Sequence, residues 1–170
     1  MELEQCVATM QANAQRIAAL VAGVSDAQAQ WKPDAESWSI LEVVNHLLDE
    51  EREDFRVRID YTLHRPGTPW LPIHPGRWVV ERQYNERDLG VSLAAWRAER
   101  ERSLAWLSGL EAPDWDTSAI APWGDPFPAG NLLAAWVAHD LLHMRQLVEL
   151  RHALIVSLSE PHSTDYAGDW

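Results

Sequence analysis

Two histidines four residues apart, His139 and His143, lie in the stretch AAWVAHDLLHMRQLVELR (134–151). Nothing in it breaks a helix, and successive helical residues turn by about 100°. Leu132, Trp136, His139, His143, Leu147, Leu150 and Leu154 therefore share one face, with apolar neighbours above and below the two rings. Imidazoles on consecutive turns aim at one spot, the spacing by which a helix supplies two nitrogen ligands to a metal. The alternative is a hydrogen-bonded core pair without metal. Buried imidazoles need partners either way.

A metal site wants a third ligand from another helix. His46, in VVNHLLDEE between Val43 and Leu47, is the histidine placed to give it. His64 and His74 fall in a loop region, His152 at a polar step and His162 in the tail, where they read as ordinary surface residues. A neutral His46–His139–His143 set leaves coordination positions open, the catalytic rather than the structural arrangement. One divalent ion, Zn, Ni, Fe or Mn, satisfies such a set, and ligand type does not choose among them. Glu50, one turn beyond His46, is the candidate general base, with Asp49 beside it as a possible fourth ligand. Against this, DEERED (49–54) also reads as a solvated acidic face. HDLLH (139–143) is a weak echo of the zinc-protease motif, with Asp140 in the glutamate position. Asp140 is expected to orient an imidazole from outside the ligand shell, or simply to flank it.

Four helices must carry these residues. The first spans about 2–24, with Val7, Met10, Ala14, Ile17, Leu20 and Val21 in helical period. The second opens at Ser39, which with Glu42 forms a capping-box pattern, and stops before Pro66. The third covers about 88–110 and the fourth about 131–158. The stretch SDAQAQWKPDAESW (25–38) reads as a turn. RPGTPWLPIHPGRW (65–78) holds too many prolines for helix or central strand, and 111–131 is again Pro-rich. No stretch shows strand alternation between hairpin turns. The expected fold is an all-α four-helix bundle over 1–158 with a tail at 159–170, the long Pro/Trp-rich loops roofing a pocket over the histidines.

Composition narrows the function. The formal charge of −12, from 26 acids against 14 bases, argues against nucleic acid as a partner. RAERERS (97–103) interleaves its bases with Glu and reads as a solvated face laced with ion pairs. No run is long and apolar enough to span a membrane, and MELEQCVATMQ has no leader pattern. Cys6 is alone, so no intrachain disulfide forms; it reads as a core residue in a reducing cytoplasm. Ten tryptophans are far above ordinary abundance, some as core anchors and others as pocket walls.

WKPDAESWSILEVVNHLLDEE (31–51), followed some ninety residues later by HDLLHMRQL (139–147), resembles the DinB-like (DinB/YfiT-like) superfamily. The resemblance spans about 3–155. It implies a metal-binding four-helix bundle whose three-histidine ligands fall on His46, His139 and His143, with Gln146 matching a glutamine common after the second histidine of the pair. Relatives include S-transferases using low-molecular-weight thiols such as bacillithiol or mycothiol, a thiol-dependent maleylpyruvate isomerase and metal-dependent hydrolases. The resemblance thus implies thiol S-transfer, with water-dependent hydrolysis as the alternative, and a homodimer. A third reading, from another class, is a non-catalytic bundle in which the metal is only a staple.

Overall fold

The computed structural model describes residues 2–65 and 67–170. Four rods form the bundle: α1 (Leu3–Val21), α3 (Ile40–Glu53) continued by α4 (Phe55–His64), α6 (Leu89–Ser108) and α7 (Ala129–Ser159). Each start has a local cause. At α3 the Ser39 hydroxyl accepts from the Glu42 amide at 3.1 Å and the Glu42 carboxylate accepts from the Ser39 amide at 2.8 Å, the reciprocal cap expected from sequence. Asp88 caps α6 by accepting from the Val91 amide at 2.7 Å. After Gly130, α7 meets no proline or glycine until it ends before Pro161.

Several short elements depart from the sequence expectation. The 25–38 stretch contains a helix, α2 (Asp26–Gln30), started by a Ser25–Gln28 capping box. The proline-rich 65–78 stretch ends inside another, α5 (Pro75–Glu81), because proline at a first helical position forfeits no hydrogen bond. Within 111–131 a hairpin pairs β1 (Ser118–Ile120) with β2 (Pro126–Pro128), Ala119 opposite Phe127. Its turn uses Gly124 at φ +98°, a conformation that costs glycine little. The second rod is broken at Asp54 (φ −116°, ψ −96°), with neither proline nor glycine at the break. Above it α3 packs chiefly on α6; below it α4 packs on α7. α3 and α7 touch little, which leaves a gap between them.

The apolar interior has two large parts, beside a small cluster of Trp78, Val79 and Tyr84. One gathers Ile17, Val43, Leu47, Trp96, Leu147 and Leu150. The other gathers Met10, Phe55, Ile59, Leu107, Leu132 and Trp136, and Cys6 is buried there as expected. Each of Trp96 and Trp136, essentially inaccessible, contributes on the order of 2–3 kcal/mol by burial. Between the two parts every rod turns polar groups inward: Asn13, Glu51, Arg100, Ser103 and Asp140 are all buried.

That layer corrects two expectations. In 49–54, Asp49, Glu50, Glu51 and Asp54 are buried, and only Arg52 and Glu53 are exposed. In 97–103, Glu99, Arg100 and Ser103 are buried, while Arg97, Glu101 and Arg102 face solvent. Partners on other helices make these burials tolerable. Arg100 meets Glu51 and Asp140; Glu99 meets Arg52, Arg56 and Arg102, which together hold its carboxyl below the usual range despite partial desolvation. No helix among the described residues is long and apolar enough to cross a membrane.

Candidate metal centre

His46 on α3 and His139 and His143 on α7 meet across the gap. Nε2 of His139 lies 3.4 Å from Nε2 of His46 and 3.1 Å from Nε2 of His143. One ligand nitrogen from each ring falls within 4.8 Å of the other two, and no carboxylate belongs to the group. Phe55 packs on His139 and Trp38 on His46, with ring centroids 5.1 and 4.9 Å apart. Burial, reinforced by the neighbouring rings, holds His46 down to about 3 and His139 to about 2; His143 is lowered too, chiefly by burial. All three rings are therefore neutral at physiological pH, the form that ligates metals.

The donor set fits a divalent ion. Nitrogens about 2.0–2.1 Å from a tetrahedral ion lie about 3.3 Å from one another, and two of the observed separations, 3.4 and 3.1 Å, bracket that spacing. The Gln146 amide oxygen accepts from Nδ1 of His143 at 2.8 Å, so Nε2 of that ring carries a lone pair. Nε2 of His139 has at most one proton and cannot donate to both neighbours. At least one of the two contacts is then unsatisfied unless a cation takes the lone pairs.

The acids take other places than the sequence suggested. Glu50 Oε1 lies 3.8 Å from Nδ1 of His46, behind the ring and away from the Nε2 cluster, and neither atom has a hydrogen-bond partner. Burial and then the adjoining Asp54 push Glu50 up to about 9. Asp49 accepts at Oδ2 from Arg82 and from the Tyr84 hydroxyl and lies outside the ligand cluster. Asp140 orients no imidazole. It takes a two-pronged bond from Arg100 at 2.7 and 2.8 Å and a third from Asn13 at 3.2 Å. His64, His74, His152 and His162 lie outside the cluster; His152 stacks on Trp170, with centroids 4.0 Å apart.

A cavity of about 540 Å³ opens onto His143, walled by Trp38, Ser37, Gln146 and Leu150, with Glu36 and Glu149 at its rim. No lysine or arginine lines it. The Pro/Trp-rich loops do not roof it, contrary to expectation. The first half of the 65–78 stretch packs on the 111–131 loop away from the cavity, where Trp70, Trp123 and Phe127 meet edge to face. Its second half backs the cavity wall, Ile73 and Trp38 both packing on Trp78, Val79 and Tyr84. The 33–38 segment, read as a plain turn, supplies the cavity wall. Its signal was Trp38 directly before the Ser39 cap, about two helical turns from His46.

The family model described as the DinB superfamily matches residues 9–147. A search of the curated proteins finds no match. Among solved structures the chain is similar to YfiT from Bacillus subtilis, described as a probable metal-dependent hydrolase with an unusual four-helix bundle topology. Identity is 19%, covering 90% of this chain and 87% of that one, with a TM-score of 0.80. It is also similar to a mycothiol-dependent maleylpyruvate isomerase at 12% identity and TM-score 0.70, covering 86% of this chain. The match spans only 61% of that isomerase. At these identities the likeness establishes the fold.

Proposed function

The chain belongs to the DinB superfamily, and on that premise we propose that it is a metal-dependent enzyme transferring a low-molecular-weight thiol to an electrophilic small molecule. The observation that carries this reading is the meeting of three neutral imidazole Nε2 atoms, one of them on the His143 ring that lines a cavity. His46, His139 and His143 would hold one divalent ion, which when bound lowers the pKa of a thiol or water at its open position.

The placement of Glu50 favours a thiol over water. Hydrolysis calls for a base beside the incoming water, and Glu50 stands on the far side of the His46 ring. A thiol gives up its proton more readily, so the transfer needs less from a base. Its sulfur then forms the new C–S bond while the leaving group departs with its electron pair. Gln146 fixes the His143 ring by accepting from its Nδ1. Trp38 and Leu150 give the cavity apolar walls that exclude water from the reacting sulfur. The acidic rim and the lack of basic lining favour a thiol without carboxylates, so mycothiol over bacillithiol with its malate group. Glu50 we assign to orienting His46 through Nδ1 rather than to taking a proton from substrate.

Hydrolysis is the second reading, supported by the description of YfiT. The test uses whole protein reconstituted with Zn²⁺, Ni²⁺, Fe²⁺ or Mn²⁺, beside His143→Ala. Conjugation of mycothiol to a chromogenic aryl halide is followed alongside cleavage of a nitrophenyl ester without thiol. Metal-dependent conjugation that His143→Ala abolishes is the expected result. Ester cleavage alone transfers the assignment to hydrolysis, and stoichiometric metal with neither activity leaves the metal as a staple.

A further inference from the structure

The three histidines sit on two rods whose backbones approach each other at few places, so side chains must set their spacing. α3 leans on α6, and α7 leans on α1 and α4. What spans the gap behind the histidines is a buried side chain from α6. Arg100 donates from Nε to Glu51 of α3 at 2.5 Å, and from both terminal nitrogens to Asp140 of α7 at 2.7 and 2.8 Å. Both carboxylates are otherwise well satisfied. Glu51 accepts from Ser103 at 2.7 Å and from the Trp136 indole at 3.2 Å, and Asp140 accepts from Asn13. Arg100 is 1% exposed, Glu51 1% and Asp140 0%. Glu51 lies five residues after His46, and Asp140 falls between His139 and His143. The layer thus adjoins the histidines, within about a turn and a half on α3 and next to them on α7.

Stability alone is a weak reason for such a layer. Desolvating three charged groups costs about as much as their attraction returns, and apolar replacements of similar volume are often neutral or stabilising. A planar guanidinium does fix geometry, because its fork admits each carboxylate in one orientation only. Rotating α7 by one residue, or widening the gap, would break the two-pronged bond to Asp140 and swing His139 and His143 off the shared point. The histidines need such a restraint, since their facing lone pairs repel until a cation arrives.

We propose that Arg100 is a positioning residue for the His46–His139–His143 centre, bridging Glu51 and Asp140 to set the distance and rotation between the two rods that carry the ligands. The proposal rests on the reading of that centre as a metal site. Its test is therefore built so that the two can fail separately.

Zn²⁺ affinity is measured by chelator competition on the whole chain, together with the visible spectrum of the Co²⁺-loaded protein and thermal melting in chelator. Wild type and His143→Ala come first: if wild type takes up no Zn²⁺, or His143→Ala takes up as much, the reading of the site fails. The informative variant is Glu51→Gln/Arg100→Met/Asp140→Asn, which removes all three charges and keeps acceptors for Trp136, Ser103 and Asn13. The expected result is a melting temperature in chelator within a few degrees of wild type, Zn²⁺ binding at least tenfold weaker and an altered Co²⁺ spectrum. Arg100→Lys keeps the charge but loses the fork, and covers the case in which the triple variant does not fold. It is expected to bind Zn²⁺ several-fold more weakly than wild type. Wild-type affinity and spectrum in whichever variant folds would overturn the proposal, as would weakening that merely tracks lost stability across both.

Discussion

Replacing Glu50 by glutamine should stabilise the metal-free protein and weaken its hold on metal. The carboxyl is buried behind His46 and pushed up to about 9, first by desolvation and then by Asp54. A carboxyl raised in the fold contributes stability that is present below its unfolded value, near 4.5. That contribution is lost as pH climbs through the folded value. Near pH 8 the interval is about 3.5 units at about 1.4 kcal/mol each, a ceiling of ~5 kcal/mol. Real interiors screen charge far better than a dry medium, so less than half of that ceiling, about 2 kcal/mol, is the expected effect. Glutamine has the same shape and never ionises, so it removes that cost. In urea denaturation with chelator, Glu50→Gln should be more stable than wild type by about 2 kcal/mol near pH 8, the gain fading towards pH 4. With Zn²⁺ that gain should largely vanish, because glutamine lacks the charge we assign to orienting His46; affinity should fall by about 10–100-fold, or about 1.4–2.7 kcal/mol. A chelated variant less stable than wild type near pH 8 would refute the idea that Glu50 is held uncharged at a cost.

Two further outcomes can be checked together. Ser39→Ala removes the α3 cap and the 2.6 Å bond to Asn85, and should cost about 1–2 kcal/mol in denaturant titrations with little change in Zn²⁺ affinity. Because His46 and His139 are held down to about 3 and about 2, protons compete poorly for those two nitrogens. Their part in Zn²⁺ binding should stay nearly level between about pH 7 and 5, by chelator competition. Exposed histidines, near 6.5, would show a steep fall.

What the sequence reveals and what it hides divide along a physical line. The rings of His139 and His143 were placed by helical spacing within one segment, and Ser39 with Glu42 announced the start of α3 three residues ahead. Such signals are local, and the chain carries them in plain order. The partner of Arg100 on α3 is 49 residues away and that on α7 is 40. Nothing near Arg100 distinguishes it from Arg97 or Arg102, which face water, so the spacing that suggests a solvated face conceals a buried one. The break at Asp54 is equally silent, lacking proline or glycine. It follows from the different helices that α3 and α4 lean on. The Ser25–Gln28 cap of α2 and Pro75 at the start of α5 were readable, but their proline-rich surroundings masked them.

The joint at Asp54 also separates two kinds of freedom. Upstream, α3 presents His46 and Trp38 walls the cavity; directly past the joint Phe55 packs on His139. Downstream, α4 leads towards an aromatic cap of Trp70, Trp123 and Phe127 away from the cavity. The hairpin of that cap feeds directly into α7, but its turn at Gly124 stands fifteen residues before His139. Changes confined to the turn tip therefore act a strand and about three turns of α7 away from the ligands. That leaves the tip free to vary, while the strands that lead into α7 are not.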